Sequence, residues 1–323
     1  MNKLGLGVRL LMLLLGLAGA GDGMASCTVP ASSTALGSYA SSVVGPNGTP
    51  QIITSGSGFS CSGSALSLIS TNTITATVIG DTNASGSSMR LKGGIGGSDV
   101  ISYDLCMDAS CGTLYSIGSS YTWKKTSFLG ILGLFNASDG TLPIYVRTSI
   151  GNNVPAGTYT DTVTIQWDYS LCALGLLGIC IYDTGTLTST LNLSMTITND
   201  CQITSAPDVN FGSAALPADF PTVGNSLGVN CTNQGAYTVK LTSSHPDDAG
   251  WRRMTATVGG AAYYLQYQLY HTDNTAWTEN ADYAGTGAGV TQSIPYTARI
   301  NASQANQPAG AYSDTVTITV TIN

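Results

Sequence analysis

The stretch PAGTYTDTVTI at residues 155–165 returns almost unchanged as PAGAYSDTVTI at residues 308–318. In both copies Pro and Gly indicate a turn, because Pro presets φ and Gly tolerates positive φ. The Thr-Val-Thr-Ile run that follows alternates polar and apolar residues, which is typical of a half-buried β-strand. One duplicated β-domain is the simplest explanation of the two copies.

The composition agrees with a β-rich chain. Its 323 residues predict about two domains. Charged residues make up 9% of the chain, against roughly 25% in a typical soluble protein, so long surface helices rich in Glu and Lys are excluded and we expect an all-β protein. The net charge of −7 argues against binding to nucleic acid or to anionic membranes, because both require clustered Lys and Arg.

The chain divides into a leader and two units. A basic start, an apolar stretch and small residues up to Ala25 predict a signal peptide over residues 1–26. An alternative is a lipoprotein box at 24–27, but acylating Cys27 would leave an odd number of cysteines in an oxidising compartment. Each unit opens with a Cys, at Cys27 and Cys201, and the predicted domains are 27–198 and 199–323.

The two units end differently. In the first unit a further alternating run, residues 186–198, follows the repeated strand, whereas the second unit reaches Asn323 directly after that strand. Tyr159 and Tyr312 resemble the corner tyrosine of immunoglobulin-like sandwiches. If both units are such β-sandwiches, the C-terminal one is incomplete because it lacks its last strand. Its open groove and unpaired edges then require a donor strand from elsewhere.

Several features together resemble the spore coat protein U domain of archaic, Csu-type chaperone–usher pili. They are the opening Cys, Cys231 in a predicted strand, the Tyr-rich run 263–270 and the repeated motif at 308–318. The resemblance is stronger over 199–323 than over 27–198. It implies a pilus subunit exported through the periplasm to the cell surface, with a periplasmic chaperone, an outer-membrane usher and an adjacent strand-donating subunit as partners.

Within that family, two-domain members resemble tip adhesins, with an adhesin domain followed by a pilin domain. Cleavage after Ala25 leaves only Ser26 before Cys27, so we expect no donor extension and a position at the tip. The resemblance implies attachment to hydrophobic abiotic surfaces and a role in biofilm formation.

Two apolar segments of the first unit have no counterpart in the second. We expect both to form exposed loop tips that bind a surface, because loops are normally polar and an exposed apolar patch marks an interaction site. A buried strand or core helix is the alternative. The predicted surface-binding residues are Phe128, Leu129, Ile131, Leu132, Leu134, Phe135, Leu171, Ala173, Leu174, Leu176, Leu177, Ile179 and Ile181. A third finger at 93–97 is a further possibility, and Lys124 and Lys125 are candidate contacts to anionic surfaces.

All eight cysteines lie in the exported part, where disulfides are expected. The simplest pairing is Cys27 with Cys61, Cys106 with Cys111, Cys172 with Cys180 and Cys201 with Cys231, although spacing alone does not fix connectivity. We expect no metal and no cofactor.

An enzymatic function is not expected. The hydrolase-like GNSLG at 224–228 is followed by a strand pattern instead of the helix of a nucleophile elbow, and Asp247 and Asp248 are typical of a turn. Two non-enzymatic alternatives to the surface adhesin remain. One is a carbohydrate-binding adhesin using Tyr121 and Trp123 as stacking platforms, and the other is a structural pilus subunit.

Overall fold

The computed structural model describes residues 26–62, 71–125, 131–176, 179–245 and 247–323, and leaves the side chains of 173–176 and 179 undescribed. The described residues are almost entirely β-structure. Their helical segments are short and include Ser41–Val44, the 3₁₀ turn Pro217–Asp219 and residues 131–132. None of the helices in this part of the chain has the length and hydropathy of a transmembrane span.

The first unit contains eleven strands within the described ranges. They are β1 (Ser26–Thr28), β2 (Ser32–Ala40), β3 (Ile52–Gly56), β4 (Ser60–Ser62), β5 (Asn72–Asp81), β6 (Met89–Gly93), β7 (Asp99–Cys106), β8 (Ser120–Lys125), β9 (Pro143–Thr148), β10 (Gly157–Leu176) and β11 (Ile179–Thr198). Strands β1 and β4 form a small sheet, and the others form a sheet of order β2-β11-β10-β6-β7-β9-β3, in which β5 pairs with β10 and β8.

The second unit contains eight strands in its described residues. They are β12 (Cys201–Ser205), β13 (Val223–Cys231), β14 (Ala236–Ser243), β15 (Arg252–Val258), β16 (Ala261–Tyr270), β17 (Tyr283–Thr286), β18 (Thr291–Ile300) and β19 (Val316–Ile322). They form one sheet of order β12-β13-β18-β16-β15 and another of order β17-β14-β19.

Each unit has its own hydrophobic core. One cluster of buried side chains runs from Leu36 to Ile197, and the other runs from Phe211 to Ile300. Strand β5 shows how the pattern produces this, since its alternate residues Ile74, Ala76 and Val78 are fully buried. The protein is therefore all-β with two sandwiches, as expected, and the boundary after Thr198 stays a prediction.

The repeated turn has the chemistry expected of a tyrosine corner. The hydroxyl of Tyr159 donates to the carbonyl of Pro155 at 2.8 Å, and the hydroxyl of Tyr312 donates to that of Pro308 at the same distance. All four expected disulfides are present: Cys27–Cys61, Cys106–Cys111, Cys172–Cys180 and Cys201–Cys231.

Candidate functional site

The open edge of β19 is the first candidate site. In the first unit, β10 is paired on one side with β5 and on the other with β11. In the second unit, the equivalent strand β19 pairs with β14, and no described strand lies along its other edge. The described residues of the second sandwich therefore contain no counterpart of β11.

Burial differs accordingly between the two copies of the motif. Tyr159 and Val163, which β11 covers, are fully buried, whereas the equivalent Tyr312 and Val316 are only partly buried. In the first unit the covering strand contributes a row of buried apolar side chains: Leu191, Leu193, Met195 and Ile197. In the second unit, Tyr312 and Val316 have no such covering strand among the described residues.

A groove of about 680 Å³ lies where that cover is missing. Its walls are residues 206–212 and 310–314 together with Val316 and Ile318, and core residues such as Leu227 and Leu241 form part of its floor. We call this surface the strand groove. Residues 206–212 form no strand, whereas β2, which follows the opening Cys in the first unit, pairs in parallel with β11. The groove thus lies between residues 206–212 and β19, in the position that one further strand would occupy.

Asp314, two residues before β19, joins the two sheets. Its carboxylate accepts hydrogen bonds from Tyr267 at 2.5 Å and from Ser243 and Ser244 at 2.6 Å, and it lies 3.1 Å from Nδ1 of His245. Burial alone would raise the pKa of Asp314, but these hydrogen bonds hold it below its usual value. In the first unit Asp161 likewise accepts from Tyr103 at 2.5 Å. Asp314 thus connects strands of the two sheets, and Asp161 connects β10 with β7.

The second candidate site is one end of the first sandwich. Strands β10 and β11 remain paired as far as Leu176 opposite Ile179, and the Cys172–Cys180 disulfide links them close to the hairpin end. The side chain of Ile181 is 64% exposed and Tyr182 beside it is also exposed. Strands β10 and β11 therefore form a hairpin and extend into the second apolar segment.

Strands β5 and β8 reach the same end. Asn72, the first residue of β5, pairs with Lys125, the last residue of β8. The Asn72 side-chain oxygen accepts a hydrogen bond from the backbone N–H of Cys172 at 2.7 Å. Residues 63–70 lead into β5 and 126–130 follow β8, so their described neighbours converge beside the hairpin. We call the end marked by Asn72, Lys125, Cys172 and Ile181 the apolar end.

Several predicted contact residues are core residues instead. Ile131 and Leu171 are fully buried, which corrects the expectation that they are exposed. Leu132, Leu134 and Phe135 are partly buried and pack against the first core, Phe135 with its ring centroid 6.2 Å from that of Phe59. The chain after 130 therefore returns to the core. The remaining predicted positions lie outside the described residues or have undescribed side chains: Phe128, Leu129, Ala173, Leu174, Leu176, Leu177 and Ile179.

The suggested third finger lies at the opposite end of the sheet. Gly93 pairs with Tyr159, close to the beginning of β10, and the turn that follows carries Ile95, 57% exposed. At about 3.3 Å per residue, this turn is ~50 Å from the apolar end. The sequence contains a further apolar run at 63–70, with Ala65, Leu66, Leu68 and Ile69 in a Ser-rich stretch directly before β5, and these residues lie outside the described part of the chain.

The structure also describes the residues considered for sugar binding and for contacts with anionic surfaces. Tyr121 and Trp123 pair opposite Ala76 and Ile74, so their rings lie on the core face of β8, and the Trp123 ring stacks on Trp167 at 6.2 Å. Lys124 and Lys125 are exposed at the end of β8, which pairs only with β5 among the described strands. Lysines at such a position commonly protect an edge strand from further pairing.

The residues considered for catalysis lie in a strand and in a turn. Ser226 lies inside β13 opposite Pro295, and Asp248 forms a turn with Trp251 through two backbone hydrogen bonds. Among the described residues, no three His, Cys, Asp or Glu side chains are grouped as metal ligands would be.

Comparison with known proteins gives a family and a fold. The profile of the Spore Coat Protein U domain family matches residues 22–166 and 187–319. A solved chaperone–tip adhesion subunit pre-assembly complex, CsuC–CsuE from archaic chaperone-usher Csu pili of Acinetobacter baumannii, contains a chain that is 24% identical. The alignment covers 91% of this chain and 99% of that one, with a TM-score of 0.59, which supports a common fold.

A more distant similarity involves CfaE, the adhesive subunit of CFA/I fimbria of enterotoxigenic Escherichia coli. It is 12% identical over 91% of this chain and 94% of that chain, and the TM-score is 0.35. No curated protein matches the sequence.

Proposed function

Since the chain belongs to the Spore Coat Protein U domain family, we propose that it is a non-enzymatic tip adhesin of an archaic chaperone–usher pilus. In this proposal the second unit joins the protein to the pilus through the strand groove. The first unit attaches the pilus to hydrophobic abiotic surfaces through its apolar end and so promotes biofilm formation.

The partners follow from the strand groove. A periplasmic chaperone covers the groove first, as befits a chain similar to one solved as a chaperone–subunit complex. An outer-membrane usher then mediates replacement of the chaperone by a strand from the adjacent pilus subunit. The single observation that carries this assignment is the contrast between Val163, fully buried under β11, and Val316, its partly exposed equivalent beside the groove.

The pairing between β10 and β11 also predicts how the donor strand lies. Leu191 is opposite Val163 and Met195 is opposite Tyr159, so the donor should run antiparallel to β19 with apolar residues opposite Val316 and Tyr312. It should also run parallel to residues 206–212, as β11 does to β2. We therefore expect a donor that alternates apolar and polar residues.

Attachment by the apolar end requires no ligand of defined shape. Burying an apolar patch of ~400 Å² would contribute on the order of 10 kcal/mol before association costs, at ~25 cal/mol per Å². Many pili acting together would raise the avidity further. Disulfides at Cys172–Cys180 and elsewhere suit a protein exported through the periplasm to the cell surface.

The attachment proposal is tested with piliated cells on polystyrene, comparing wild type with Ile181→Asp. The matched control is Ile95→Asp, a similarly exposed position at the other end of the domain, and immunoblots of surface pili check assembly. We expect Ile181→Asp to lose most attachment with normal piliation and Ile95→Asp to keep it.

Equal attachment by both variants would contradict this assignment. Inhibition by a soluble sugar, with no inhibition by mild detergent, would indicate the carbohydrate-binding alternative. Normal attachment by cells lacking the protein would indicate a structural subunit.

A further inference from the structure

Two carboxyl groups and one phenol meet inside the first unit. The hydroxyl oxygen of Tyr103, on β7, lies 2.5 Å from Oδ2 of Asp161 on β10 and 3.1 Å from Oδ2 of Asp81 on β5. Tyr103 and Asp161 are buried, and Asp81 is partly buried. The three side chains connect three strands of the sheet.

If both carboxylates were ionised, the cluster would have too few protons for both contacts of the phenol oxygen to be hydrogen bonds. A phenol has one proton to donate, and the shorter distance assigns it to Asp161. The contact between Asp81 and the phenol oxygen then needs a proton on Asp81, since two acceptor oxygens cannot hydrogen-bond each other. Two neighbouring buried carboxylates also repel each other when both are charged.

Other groups around the cluster do not neutralise a second charge. Asn83 donates its backbone N–H to Asp81 at 2.8 Å and its side-chain amide to Asp161 at 3.1 Å. The guanidinium of Arg90, on β6, donates to the backbone carbonyls of Asn83 and Ala84. The ion pairs found within the described ranges include neither carboxylate.

The second unit contains the same cluster without the second carboxyl group. Val163 pairs with Asp81, and its repeat equivalent Val316 pairs with Ser243. Ser243 therefore stands in place of Asp81, and its hydroxyl donates to Asp314 at 2.6 Å. A hydroxyl supplies the proton that a carboxylate at this position must take from solvent.

We propose that the first unit binds one additional proton when it folds at weakly acidic pH, held by Asp81 between Tyr103 and Asp161, and that this unit therefore loses stability as the pH rises from acidic to neutral. The second unit, with Ser243 in the same place, lacks this response. The device thus makes the stability of the first unit depend on external pH in the range where Asp81 titrates.

The sign follows from linkage. Burial, together with the neighbouring Asp161, raises the pKa of Asp81 to about 7, compared with about 4 in an unfolded chain. Between these values the folded state binds more protons than the unfolded state, so the free energy of unfolding falls as pH rises from about 4 to about 7 and then levels off.

The direct test is carbon-detected NMR of the full exported chain with ¹³C-labelled aspartate, following the Asp81 carboxyl from pH 4 to pH 9. We expect a titration midpoint near 7. A midpoint near 4 would overturn the proposal whatever any variant does.

The variant test is Asp81→Ser, which copies the second unit, with Asp81→Asn as a second neutral replacement. Thermal unfolding of the first unit is followed at pH 5 and pH 8. Wild type should unfold at a clearly lower temperature at pH 8, and both variants should reduce that difference by at least half.

Asp183→Ser, at a partly exposed carboxylate on β11, is the control and should retain the wild-type difference in unfolding temperature between pH 5 and pH 8. An undiminished difference in both Asp81 variants would refute the proposal. Should Asp81→Ser fail to fold, Asp81→Asn and the NMR titration decide the question.

Discussion

Supplying the strand groove with a covering strand should stabilise the second unit strongly. The change is to append a copy of residues 187–198 after Asn323 through a short Gly- and Asn-rich turn. In the first unit this strand buries four apolar side chains, Leu191, Leu193, Met195 and Ile197. At about 1.5–3 kcal/mol each, they would contribute roughly 6–12 kcal/mol before the cost of ordering the strand.

The difference in stabilisation between two versions of the appended strand can be calculated more reliably than the total stabilisation by one of them. Leu191→Ala in the appended copy should cost about 2–5 kcal/mol, as a buried Leu→Ala change does. With a urea m-value of about 1–3 kcal/mol per M, the unfolding midpoint of the second unit should fall by on the order of 1–2 M. The transition is followed by fluorescence of Trp277, which is fully buried in this unit.

The control is an appended strand in which neighbouring residues are exchanged in pairs, so that the polar set faces inward. It has the same composition and should leave the midpoint unchanged. If the control stabilises as much as the true copy, or if the true copy does not stabilise at all, the groove is not a strand-binding site and our reasoning is wrong.

Three further predictions concern the tyrosine corners, the hairpin of β10 and β11, and Asp314. Tyr159→Phe should cost about 1–2 kcal/mol, because it leaves a buried carbonyl without its donor, and Tyr312→Phe should cost less because water can replace the hydroxyl at the open groove; urea unfolding measures both. Replacing Cys172 and Cys180 with Ser should increase hydrogen exchange in the hairpin while costing at most ~2–3 kcal/mol, since the closed loop is short. Unchanged exchange would contradict the role of this disulfide. Asp314→Asn should cost about 1–3 kcal/mol at pH 7, and the cost should shrink as pH falls below about 4, because its lowered pKa makes the ionised form stabilising only above that range.

The features that local sequence predicts are those with a local physical cause. The corner at Tyr159 depends on a turn four residues away, and the alternation in 162–165 specifies a strand by itself. The internal repeat then reveals that one copy has a covering strand and the other does not. The fold class and the strand groove could be predicted for these reasons.

The depth of an apolar residue depends on pairings far along the chain. The sequence neighbours of Ile131 do not distinguish it from an exposed apolar residue. Only the packing of the whole sandwich makes Ile131 a core residue. The orientation of Trp123 follows from its register opposite Ile74, which the sequence does not specify. Likewise, the approach of Tyr103 to Asp161 joins residues that are distant in sequence.

The measurement that tests the surface contact most directly is hydroxyl-radical footprinting of the full chain adsorbed on polystyrene beads, compared with the chain in solution. Our account predicts protection of Ile181 and Tyr182, which are exposed at the apolar end, and no protection of Ile95 at the opposite end. Protection of Ile95, or uniform protection of all three residues, would contradict attachment through the apolar end.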